Sequence, residues 1–164
     1  MPNHPLAAYL NDHLAGSIAG IDLAASLAKA ASRANDQDRA MWLESLRDDL
    51  AAAQAVLRAV MTRNHASEAM LTQAGAWMTE HLTRAKLALT SATDGAALAW
   101  LDGLEALALG LQGQAALWRA LDVTLPSRDP RRANADFAAL ERRALILFAQ
   151  VDRARLAAAA TAFT

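Results

Sequence analysis

Apolar residues return every three or four positions along most of this chain, the period of a helix face rather than of a strand. From Asn3 or Pro5 to about Ser32, the series Leu6, Leu10, Leu14, Ile18, Ile21, Ala25 and Ala28 traces one stripe, and a proline is tolerated in such a first turn. Asn35 and Asp36 interrupt the pattern. Asn35 is an N-cap candidate for a second helix reaching about Arg63, with Asp36 and Asp38 favourably set against the positive end of its dipole. So short a link predicts an antiparallel hairpin, in which facing residues have numbers totalling about 69. A third helical segment is predicted over residues 67–89, weakened by Gly75, followed by a turn over 90–94. The fourth, within 93–123, is apolar round most of its circumference, as an inner helix of a bundle would be. Pro126, Asp129 and Pro130 mark the next break, and a last helix is predicted from about Arg131 to Ala162. That turn gives the second hairpin a total near 253 by the same geometry.

Two architectures fit these segments. If 67–89 is a crossover, the other four segments form a four-helix bundle; if it is a full member, the domain is a five-helix array. The expected architecture is the first: an all-α antiparallel four-helix bundle with a helical crossover, five helices in total, as one domain over 1–164.

Composition narrows the picture. At 164 residues the chain suits a single domain with a substantial core. Alanine and leucine dominate, while the β-branched and aromatic residues that favour strands are scarce, so an all-α class follows. The net charge of -1 is spread over interspersed acids and bases, so neither nucleic acid nor a membrane surface is an expected partner. Cysteine is absent, which excludes disulfides, thiolate metal sites and thiol catalysis. No secretory leader is visible, and no apolar run is read as approaching the roughly 18 residues of a membrane span. A cytoplasmic location is therefore expected. An apolar fraction of 54% exceeds what a small bundle usually buries, so a homodimer is expected, with a protein partner as another outlet for that surface.

Two stretches, YLNDHLAGSIAG (from Tyr9) and LEALALGLQGQAALWRAL (from Leu104), resemble uncharacterised bacterial helical-bundle proteins of the ferritin-like kind. The resemblance implies a fold and no known activity or catalytic set.

A ferritin-like di-iron centre needs Glu-x-x-His pairs, because that spacing aims both ligands at one level of the bundle. Every glutamate fails this test: Glu44, Glu68, Glu80, Glu105 and Glu141 are followed at the third position by Arg47, Leu71, Thr83, Ala108 and Ala144. No metal, cofactor or catalytic residue is assigned. Among the histidines His4, His13, His65 and His81, only His13 lies in a strong helix beside an apolar stripe, where a satisfied, partly buried imidazole is the plainer reading and a ligand contact the sharper one. Glu105 shares a face with Leu98, Leu101, Ala108, Leu109 and Gln112, so a buried carboxylate held by Gln150 or Arg143 is expected. Gly103 and Gly110 form a stripe with Gly113. Such a stripe lets a neighbouring helix approach closely or offers a flat wall to a ligand. Trp100 and Trp118, five turns apart, project alike and read as core or interface. The arginines from Arg131 to Arg155 alternate with acids and read as a self-paired surface. The expected function is a non-catalytic bundle acting through self-association or a protein partner. The alternative is a small-molecule or enzymatic bundle with a pocket beside Glu105 and the glycines.

Overall fold

The computed structural model describes residues 4–66 and 96–164, so the segment expected over 67–89 lies outside the described residues. Four α-helices are present among them: α1 (His4–Arg33), α2 (Gln37–Arg63), α3 (Ala96–Thr124) and α4 (Phe137–Ala162), with a 3-10 turn at Pro130–Arg132. No strand occurs among the described residues, and the chain is all-α.

The first turn is capped one residue later than expected. Asp36, not Asn35, accepts a hydrogen bond from the Arg39 amide at 3.1 Å, while Asn35 takes the left-handed φ of 59° that asparagine tolerates. The hairpin register is close to expectation: Gln54 Nε2 donates to Ser17 Oγ at 2.9 Å, a pair whose numbers total 71.

The second hairpin departs further. Pro130–Arg132 forms a separate 3-10 turn, Ala133 and Asn134 follow with φ of 53° and 62°, and Asp136 caps α4 by accepting from the Ala139 amide at 2.9 Å. The last helix thus begins at Phe137 rather than near Arg131. Facing pairs shift accordingly: Arg119 meets Glu141 and not Asp136, and Glu105 meets Arg155, numbers that total 260 in both cases. Arg132 holds this turn from inside. Its side chain is only 8% exposed, and the guanidinium donates to Leu125 O at 2.7 Å, pairs with Asp122 at 2.8 Å and lies 4.2 Å from the Phe137 ring centre.

Helix α3 runs antiparallel to α1, since Gly103 meets Leu27 at one end while Leu117, Trp118 and Leu121 join Leu10 and Leu14 at the other. Helices α2 and α3 are therefore parallel. The described chain leaves at one end of the bundle at Ala66 and re-enters at the opposite end at Ala96.

Among the described residues the core falls into two clusters, one at each end. The first gathers Leu23, Leu27, Leu43, Leu104 and Val151 with their neighbours; the second gathers Leu10, Leu57, Met61, Trp118 and Phe137. Each leucine buried this completely contributes roughly 1.5–3 kcal/mol. By length and composition, Pro5–Arg33 is apolar enough to cross a membrane, contrary to the reading of the sequence. Here its buried face packs against α2 and α3.

Candidate functional site

The two clusters do not meet evenly, and the reason lies in the side chains between them. After Leu14 the inward face of α1 continues geometrically through Ser17 and Gly20 to Ala24. Of the apolar residues beside it, Ile18 is 39% exposed, while Ile21 packs, partly buried, against the cluster around Leu23 and Leu27. On α2 the corresponding positions between Leu50 and Leu57 hold Ala53 and Gln54; on α3, Gly110, Gly113 and Gln114 flank Leu111. Three helices thus carry small or polar residues at one level, where a continuous core would carry leucines.

The result is a cavity of about 220 Å³ between α1, α2 and α3, partly open to solvent. A Cβ added at Gly20, Gly110 or Gly113 would meet nothing within 4 Å, so these glycines leave empty space rather than admit a close neighbour. Gly103 behaves oppositely: a Cβ there would sit 3.0 Å from Leu27 Cδ2, and its hydrogen lets α1 and α3 touch. The glycine stripe therefore serves both uses, close approach at one end and open wall at the other.

His13 is in the cavity wall. Burial pushes its pKa below the ordinary imidazole value, with Asp12 opposing more weakly, which favours the neutral ring. Tyr9 contacts it edge-on at 4.6 Å between ring centres, and the imidazole makes no hydrogen bond among the described residues. Ser17 and Gln54 are joined to each other, and Ser17 also donates to Leu14 O at 2.9 Å. Trp118 closes the same end, 1% exposed and stacked on Phe137 at 5.7 Å. Its indole N–H has no acceptor among the described residues, an omission that native interiors seldom leave.

Of the six residues singled out from the sequence, His13, Gly110 and Trp118 come together at this cavity. The others do not. Gly103 packs on Leu27. Trp100 lies in the opposite cluster with the Arg39 guanidinium 5.0 Å above its ring. Glu105 corrects the expectation of a buried acid: its side chain is 57% exposed and faces Arg155 at 3.6 Å. The face it shares with Leu98, Leu109 and Gln112 is turned outward, and neither Gln150 nor Arg143 is its partner, because the later start of α4 moves both along the bundle. Arg143 instead joins α2 through Asp49 at 2.7 Å. Of the other arginines on this stretch, Arg131 pairs with Asp129 and Arg155 with Asp152. Ser17, Gly20, Gln54, Gly113 and Gln114 complete the site. Their signal in the sequence was the loss of leucine at matched levels, which becomes visible only once the helices are in register. Among the described residues no three of His, Asp or Glu gather as a metal site would need.

No protein-family model, curated protein or solved structure matches this chain.

Proposed function

We propose that this protein binds a small, largely apolar molecule in the cavity between α1, α2 and α3, without catalysing a reaction on it. The observation that carries this reading is the open space left beside Gly20, Gly110 and Gly113 in the wall that α1, α2 and α3 share. Gly20, Gly110 and Gly113 each cost about 1 kcal/mol of helix stability relative to alanine, although nothing nearby forbids an alanine there. Empty space kept at that cost is what a ligand would use. An engineered apolar cavity of about 150 Å³ takes up benzene, so 220 Å³ admits a larger guest. Among the described residues of the wall no nucleophile and base are paired, which favours binding over turnover.

Titration of isotope-labelled protein with benzene tests this. Shift changes confined to the facing stretches of α1, α2 and α3, abolished by Gly110→Leu, are expected. Absence of any response at benzene saturation would overturn the proposal.

The parallel course of α2 and α3 supports the finer topology of a ferritin-like bundle, because no short loop can join two parallel helices end to start. A second reading, self-association, is supported by exposed Leu145, Ile146 and Leu156 on the outer side of α4. Sedimentation at tens of micromolar should then give a dimer that Leu156→Glu dissociates. A wild-type monomer would remove that reading.

A further inference from the structure

Resting on that reading, we propose that the ligand is a planar, uncharged aromatic molecule with one polar substituent, its ring set against the glycine faces and its substituent directed at His13.

Planarity follows from the walls. Gly16 and Gly20 are one turn apart on α1, as are Gly110 and Gly113 on α3, and all four border the cavity. Backbone bared at Gly20, Gly110 and Gly113, with nothing within 4 Å of where each Cβ would stand, offers flat wall on two helices, and the face of an aromatic ring packs on such a wall. In size the space exceeds the about 150 Å³ that holds benzene, so one substituted ring or two fused rings fit.

Neutrality follows from the charges. Among the described residues no lysine or arginine borders the cavity, and the charged residue that does, Asp12, already has an interaction of its own. An anion would be buried beside a carboxylate with no cation to offset its desolvation, which is strongly unfavourable. A cation would have to leave water for a wall whose remaining polar groups are neutral.

Orientation follows from the register. His13, Gln114 and Trp118 stand toward one end of the cavity, and Gly20, Leu107 and Gly110 toward the other. The imidazole and the Gln114 amide make no hydrogen bonds among the described residues, and the Trp118 N–H lacks an acceptor. Unused hydrogen-bonding capacity therefore collects at one end only, and a ligand matched to it is polar at one end only. Burial favours the neutral form of His13, which can accept from a hydroxyl or donate to a carbonyl through one nitrogen or the other.

Calorimetric titration of the full chain with naphthalene, 2-naphthol and 2-naphthoate tests the assignment. In the wild type, 2-naphthol should bind at least about tenfold tighter than 2-naphthoate. The preference for 2-naphthol over naphthalene should fall by about five- to tenfold in His13→Leu, the loss of one net hydrogen bond. Independently of any variant, nuclear Overhauser contacts should link the hydroxyl-bearing ring to His13 and the distal ring to Leu107 and Gly110. Naphthoate binding as tightly as naphthol, an unchanged preference in His13→Leu, or a reversed set of contacts would overturn the inference while leaving the cavity as a binding site. Failure of benzene and naphthalene alike to bind the wild type would remove the binding reading itself.

Discussion

Gly103 and Gly110 are seven residues apart on one helix and differ in what a methyl group would do. At Gly110 alanine gains helix propensity and enters free space, so Gly110→Ala should stabilise the fold by about 0.5–1 kcal/mol while weakening ligand binding. Gly103→Ala has the same propensity gain but must displace the Leu27 methyl 3.0 Å away, and its gain should be smaller. Urea midpoints of the two variants decide the matter; equal shifts would mean that Leu27 yields freely. His13 makes a second prediction. Its pKa is lowered in the fold by burial, with Asp12 opposing, so below the ordinary imidazole value near 6.5 the unfolded chain takes up the proton first. Stability should then be level above that pH and decline as the pH falls through it toward the folded value. Tyr9, in ring contact with His13, and Asp12 are its titratable neighbours on α1. Urea midpoints between pH 5 and 7.5 should slope in the wild type more than in His13→Leu. Parallel slopes would assign the dependence to other groups.

At the scale of elements, the second turn depends on local chemistry. Removing the Asp136 cap with Asp136→Ala should cost about 1 kcal/mol, in line with other N-cap deletions. Arg132→Ala should cost more, about 2 kcal/mol, because it removes charge-assisted bonds to Leu125 O and Asp122 from a buried position. Thermal unfolding measures both, and a ranking in the opposite order would show that the guanidinium is dispensable. The same turn explains what could be read in advance. Helix identity, the first hairpin and its register followed from apolar spacing and a two-residue break. The second register missed by seven because arginines after a proline look like a helix start, whereas Pro130–Arg132 closes a turn of its own and Asp136 is the cap. Glu105 was misjudged as a consequence. The cavity is half legible: His13, Gly110 and Trp118 stand out individually, but apolar spacing alone leads the stripe on α1 through Ile18, which is 39% exposed. Geometry carries it through Ser17 and Gly20 instead.

At the scale of the whole molecule, the described residues pack in two clusters with a sparsely filled level between them. Cooperative unfolding relies on contacts that pass stability from one region to the next, and regions weakly joined can open on their own. Each end of the bundle should therefore have its own opening free energy. Amide hydrogen exchange should resolve them, with the α1 and α3 amides near Leu23 and Leu104 forming one protected group and those near Leu10 and Trp118 another. A guest lodged between them would act as a strut, and the two exchange groups should merge into one when it is present. Occupancy would then be legible far from the cavity, at both tips of a bundle some 40 Å long by helix rise, in the rate at which its ends breathe.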